Sequence, residues 1–180
     1  SMLIGIPRET RPGETRVAAT PETVKKLAVS GKHAIVVEAG AGLASSVTDE
    51  QYVAAGATIG TAAQALGADI VLKVRAPAGA ELASLKSGAV LVGLLNPYDA
   101  AAIEACAKAG VTGLALEKLP RISRAQSMDV LSSQANIAGY KAVMLAANEY
   151  GRFMPMLMTA AGTVKAARVL ILGVGVAGLQ

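Results

Sequence analysis

The stretch that most constrains this chain lies near its end, at Val169-Leu-Ile-Leu-Gly-Val-Gly-Val-Ala-Gly178. Four consecutive apolar residues without polar alternation predict a strand buried on both faces, the pattern of a parallel sheet covered by helices. Gly173, Gly175 and Gly178 follow at once as Gly-x-Gly-x-x-Gly. In that spacing the first glycine makes a tight turn and the second lets a pyrophosphate approach the backbone. The third lets helix and strand pack closely. Alone the spacing is weak, because a chain with 19 glycines can produce it by chance. Directly after Val169 to Leu172 it predicts a dinucleotide-binding turn. The sequence stops at Gln180, before the following helix and before the acidic residue expected about twenty positions on for a ribose. The expectation is the opening of a nucleotide-binding domain, with weak nucleotide binding by these residues alone.

The preceding residues carry a domain's worth of alternating signals. Leu3-Ile-Gly-Ile reads as a buried strand stopped by Pro7, and a charged, turn-rich loop follows from Arg8 to Arg16. Thr20 before Pro21 is an N-cap with proline at the first helical position. Strands are expected at His33 to Glu38, Ala57 to Ile59, Ile70 to Arg75, Ala89 to Leu95 and Thr112 to Leu116. Helical patterns lie between them, one opened by Thr48-Asp-Glu-Gln, a capping box. Strands separated by helices mean right-handed crossovers and a mostly parallel sheet, an α/β Rossmann-like fold. Lys73, Arg75, Asn96 and Glu117 fall at strand ends, where such sheets bind ligands. From Pro120 to Asp129 the pattern breaks into a polar loop without clear period. Leu131 to Tyr150 then reads as a long helix with Ile137, Tyr140, Met144 and Ala147 on one stripe, ending at Gly151. The expected division is 3–129 as one complete subdomain and 130–180 as a linker helix with a truncated second one.

Composition excludes several classes. Aromatic residues are 3% of the chain and the net charge of +4 is scattered, so there are few rings to stack on bases and no basic run to follow a phosphate backbone. No apolar run approaches the ~18 residues of a membrane span, which predicts no direct membrane insertion. Cys106 is the only cysteine, so no internal disulfide can form and a reducing, intracellular setting is expected. It sits in a helical pattern, where a small apolar role is expected. His33 is the only histidine; at a strand start it reads as a surface residue before a catalyst. No metal site is expected.

Four motifs carry a family resemblance: Ile6-Pro-Arg-Glu-Thr, Thr15-Arg-Val-Ala-Ala-Thr-Pro21, Leu72-Lys-Val-Arg-Ala-Pro77 and Pro120-Arg-Ile-Ser-Arg-Ala-Gln-Ser-Met-Asp129. Together they resemble the alanine dehydrogenase/nicotinamide nucleotide transhydrogenase superfamily over essentially the whole chain. Within it the chain is most similar to the soluble NAD(H)-binding region of the transhydrogenase branch. The resemblance implies two Rossmann-like subdomains and hydride transfer from NADH to NADP⁺, coupled to proton translocation in the intact assembly. It implies NAD(H) as cofactor, with NADP(H) on a partner domain. It also implies a homodimer, a membrane subunit as partner, and a place on the cytoplasmic face of a bacterial inner membrane through those partners. Arg121, Gln126, Asp129 and Ser132 become the residues beside the nicotinamide, and Gly173, Gly175, Val176 and Gly178 those around the pyrophosphate.

The residue types suit these roles, since an amide, a carboxylate and a hydroxyl can orient a carboxamide. The dehydrogenase branch carries a substrate-binding arginine, a lysine and a catalytic histidine. Arg16 matches the first; Arg75 and Asn96 stand at the other two positions. An asparagine amide does not titrate near neutral pH, so it cannot take the proton that amine oxidation releases. An amino-acid dehydrogenase is therefore the second expectation. The third is a non-enzymatic scaffold or dimerisation piece, inactive by itself.

Overall fold

The computed structural model describes residues 1–180. The chain divides into two compact units, 1–120 and 121–180.

In the first unit six strands form one sheet: β1 (Met2–Ile6), β2 (His33–Glu38), β3 (Thr58–Gly60), β4 (Ile70–Arg75), β5 (Val90–Leu94) and β6 (Thr112–Ala115). Their spatial order is β3-β2-β1-β4-β5-β6, and every neighbouring pair is parallel. Parallel neighbours require crossovers, and helices supply them: α1 (Pro21–Val29), α2 (Asp49–Ala54), α3 (Ala62–Leu66), α4 (Gly79–Leu82) and α5 (Ala100–Lys108). Their starts follow local chemistry. Thr20 accepts from Thr23 N with Pro21 behind it, and Asp99 accepts from Ala101 N and Ala102 N. Thr48 and Thr61 each close a reciprocal capping box with a glutamine three residues on.

Two apolar clusters form the core. Ile4 and Ile6 of β1 join Ile35 and Val37 of β2, Val24 of α1 and Tyr52 of α2 in one. Val71 of β4 and Leu91 of β5 join Leu66, Leu85 and Leu95 in the other. The Tyr52 hydroxyl, fully buried, donates to the Ala19 carbonyl at 2.7 Å, so the largest core side chain leaves no orphan polar atom.

The second unit starts with a 3₁₀ turn, Ser123–Met128, where the sequence pattern predicts an aperiodic loop; Ala125 turns inward and is buried. Then comes α6 (Val130–Tyr150), capped by Asp129 and ended by Gly151 in the left-handed region at φ 65°. A hairpin absent from the sequence expectation follows, β7 (Leu157–Thr159) against β8 (Gly162–Val164), antiparallel. Last is α7 (Val176–Leu179). The buried strand expected at Val169 to Leu172 does not form: those residues carry no strand pairing and Leu170 and Leu172 are 83% and 88% exposed. The reason is geometric. A parallel strand exists only through a ladder with neighbours, and the only other strands of this unit pair with each other.

Candidate functional site

The strand order of the first unit reverses between β1 and β4, and a crevice is expected there beyond the carboxyl ends. The chain fills it with its own charges. Lys73 on β4 has its side chain 1% exposed and sits 2.8 Å from Glu81 Oε2 and 3.4 Å from Glu9 Oε2. The register of β4 against β5 slips between Leu72 and Arg75. At that irregularity Glu9 accepts from the backbone N–H of Val74 at 3.2 Å and of Arg75 at 2.8 Å. Glu81 accepts from Ala78 N and from the Thr10 hydroxyl, both at 3.0 Å. Burial alone would raise the Glu81 carboxyl; the Lys73 ammonium and these hydrogen bonds outweigh it and bring the pKa below the ordinary carboxylate value.

Two of the four strand-end residues are thus structural rather than ligand-facing. Lys73 is locked in the ionic cluster, and Glu117 accepts from Leu95 N at 3.3 Å and Asn96 N at 2.6 Å. That grip holds Asn96 at φ 50°, a left-handed conformation asparagine tolerates. Beside the cluster, Arg8, Glu14, Thr15, Arg16 and Ala41 help line a cleft of about 220 Å³. The Arg16 guanidinium forks onto Glu14, Nε to Oε1 and Nη2 to Oε2, both at 2.8 Å. Those bonds draw the Glu14 carboxyl down to about 2. The arginine that a substrate carboxylate would need therefore already holds a carboxylate of its own chain. Cys106 is half-buried against the second apolar cluster, as a small apolar residue would be, and burial pushes its thiol up. His33 is half-buried at the start of β2, with Nδ1 buried and unpartnered.

In the second unit, Asp129 and Ser132 come together at the start of α6. Asp129 Oδ1 accepts from Ser132 N at 3.0 Å and Oδ2 from the Ser132 hydroxyl at 2.6 Å. The hydroxyl bond first, then the backbone bond, and beyond them the nearby Arg121 charge hold the Asp129 carboxyl below its usual range. Arg121 acts on Asp129 through its charge alone, with no ion pair between them within 4.0 Å. Gln126 is exposed on the 3₁₀ turn, and its carbonyl accepts from Asp129 N at 3.2 Å. The N-capping role of Asp129 is legible in Asp-x-x-Ser before an apolar run, the spacing of an N-cap.

The three glycines of the turn differ in their surroundings. Gly173 sits at φ 103°, a conformation closed to most L-residues. A Cβ on Gly178 would overlap the Gly173 carbonyl oxygen and lie 3.0 Å from its carbon, so the turn closes only over a bare Cα. A Cβ on Gly175 would meet nothing within 4 Å, so the middle glycine faces open space. Val176 is the first residue of α7.

Strand order, crossovers and glycine turn define a chain of the Rossmann-like α/β class. The family described as alanine dehydrogenase/PNT, N-terminal domain, matches residues 5–138, and its C-terminal domain matches residues 142–180. The chain belongs to the alanine dehydrogenase/PNT family. It is 49% identical to the NAD(P) transhydrogenase subunit alpha of Cereibacter sphaeroides, over 99% of this chain and 34% of that protein. The crystal structure of transhydrogenase from Sinorhizobium meliloti superimposes with a TM-score of 0.94 at 54% identity, over 98% of this chain and 53% of that one. An L-alanine dehydrogenase structure superimposes with a TM-score of 0.80 at 30% identity, over 99% and 50%. The chain thus spans from about a third to about half the length of these relatives.

Proposed function

We propose that this chain belongs to a transhydrogenase that moves hydride from NADH to NADP⁺, coupled to proton translocation in the complete assembly. The observation that carries the reading is the gap between branches: 54% identity and a TM-score of 0.94 to a transhydrogenase, against 30% and 0.80 to an alanine dehydrogenase. Asn96, without a titrating side chain, and Arg16, forked onto Glu14, support the same side. Residues 3–129 act as the first subdomain, and 130–180 as the linker helix and opening of the NAD-binding one.

The residues present fit NAD(H): the open face at Gly175 leaves room for its pyrophosphate, with Gly173, Val176 and Gly178 around it. Arg121, Gln126, Asp129 and Ser132 belong to the nicotinamide end. The bound nicotinamide supplies the hydride chemistry. The chain's own residues orient: Gln126 offers an amide donor and acceptor, Ser132 a hydroxyl fixed by Asp129, and Arg121 a fixed positive charge. Catalysis of this kind is alignment of two rings, with no side chain shuttling a proton at the reacting carbon.

NADP(H) lies on a partner domain. No helix here is long and apolar enough to cross a membrane; the membrane segments and the proton path belong to partner subunits, through which the chain sits on the cytoplasmic face of a bacterial inner membrane. The exposed apolar side chains of α6, Ile137, Tyr140 and Met144 among them, support a homodimer.

The test runs the full-length protein with alanine plus NAD⁺, and separately with NADH plus a partner domain carrying NADP⁺. Hydride transfer to NADP⁺ is expected; robust NADH production from alanine would sink the reading.

A further inference from the structure

Helix α6 is 21 residues long and buries only one of them, Gly139. A helix this exposed gains nothing in general packing from a glycine, and glycine inside a helix is unfavourable relative to alanine. What the missing side chain permits is local. A Cβ at Gly139 would overlap the Ala177 carbonyl oxygen and come within 2.9 Å of its carbon and 3.0 Å of its Cα. Ala177 is the residue between Val176 and Gly178, inside the glycine motif. One helical step earlier on the same face, Asn136 Nδ2 donates to Gln180 Oε1 at 2.8 Å. So α7 rests its backbone on a bare patch of α6 and is pinned beside it by one side-chain bond.

The turn moves with α7. Leu179 N donates to the Gly175 carbonyl at 3.0 Å, and Gly178 closes against Gly173. Any displacement of Ala177 therefore carries Gly175 and Val176 along. The other end of α6 holds the Asp129–Ser132 pair. From Asp129 to Gly139 is ten residues of helix, about 15 Å at 1.5 Å per residue.

We propose that Gly139, with Asn136 beside it, positions the nucleotide turn, so that α6 acts as a ruler fixing the spacing between the pyrophosphate turn and the nicotinamide-side residues at its own start. Gly139 acts through Ala177 and touches no cofactor atom; it is a positioning residue. The inference rests on the reading of the Gly173–Gly178 turn as the NAD(H) site.

The experiment uses the full-length protein, with NADH as ligand and hydride transfer to an NADP⁺-loaded partner domain as the rate. Gly139→Ala is expected to raise the KM and Kd for NADH by about tenfold or more, because small misplacements of a binding group are costly. The kcat at saturating NADH should also fall, through lost alignment, while far-UV circular dichroism should stay native, since alanine favours the helix. A folded Gly139→Ala protein with an unchanged KM for NADH overturns the proposal, as does one that loses kcat and thermal stability while KM stays put. Gly175→Val, in the turn itself, separates the two levels. If it abolishes NADH binding while Gly139→Ala does not alter it, the positioning role fails and the turn stands. If both bind NADH like the unmodified protein, the turn reading fails too. Should Gly139→Ala not fold, Asn136→Ala decides: a rise in KM of about fivefold, the worth of one hydrogen bond, supports the proposal, and no rise overturns it.

Discussion

Ile6, Val24, Val37, Tyr52, Val71 and Leu91 are completely buried in residues 1–120, whereas in residues 121–180 only Ala125 and Gly139 are buried. Yet the second unit is no less apolar in sequence: Ile137, Tyr140, Val143, Met144, Leu145, Phe153, Met156 and Leu157 all stand exposed there. Apolar content alone does not make a core. The first unit's strands alternate with helices that fold back over them, so each apolar side chain finds a partner within the next element or two. The second is one long helix, a hairpin and a turn, in a chain that spans about a third to half of its relatives' length, so its apolar faces meet few elements of this chain. It is held by local chemistry instead: a cap, a left-handed glycine, and the close seat of α7 on α6.

That contrast predicts where substitutions hurt. The largest effect is expected from Lys73→Ala, which leaves Glu9 and Glu81 facing each other unpaired; a stability loss of about 3–5 kcal/mol by denaturant unfolding is expected. A loss below about 1 kcal/mol would mean the ionic cluster is more hydrated than its 1% exposure indicates. Next comes Leu91→Ala in the fully buried centre of β5, expected to cost about 2–5 kcal/mol by transfer and cavity terms. The matching truncation on α6, Met144→Ala at 50% exposure, should change stability of the monomeric protein by no more than about 0.5 kcal/mol. Equal costs for the two truncations would erase the distinction between the units.

In full-length protein, Asp129→Ala removes the α6 cap, worth about 1 kcal/mol, and is expected to slow hydride transfer by about tenfold. Gln126→Ala should slow it similarly with almost no change in stability, because its side chain is exposed and caps nothing. A stability loss without a rate loss in both variants would make the 3₁₀ turn purely structural.

The smallest effect is one of pH. The folded Glu14 carboxyl titrates at about 2, below its ordinary 4.5, so its contribution is full above about pH 4.5 and is lost as pH falls toward 2. The Arg16–Glu14 pair is partly solvated, so the loss should be well under 1 kcal/mol. Melting temperatures from pH 5 to 2.5 should fall slightly more steeply for the unmodified protein than for Glu14→Gln. Parallel curves would show that the clamp does not persist in solution.

The alternation of strand and helix is readable from residue 3 to residue 116 because period, cap residues and punctuating glycines agree there; Thr20, Thr48 and Gly151 do what their types suggest. The failures have one cause. Val169 to Leu172 has a strand's composition but no neighbour to pair with, and strandedness is a property of the pair. Lys73 and Glu117 look like ligand-facing residues because position in a strand is visible in sequence, while Glu9, Glu81 and the free amides of Leu95 and Asn96 are assembled only by folding. The Asp129–Ser132 contact, four residues of local chain, is within reach of spacing alone; the seat of Ala177 on Gly139 is not.

The strand order also sets a timetable. β1 is made first but lies in the middle of its sheet, pairing with β2 on one side and with β4 on the other, Ile4 opposite Ile35 and Ile70. On a ribosome, Met2–Ile6 can find its first neighbour once Val37 has emerged, but its second edge stays open until Ile70 and Val71 arrive. A strand left half-paired through that interval offers unsatisfied amides to any passing chain. Closing that central ladder demands a long loop before it returns any contact, the kind of non-local pairing that slows folding.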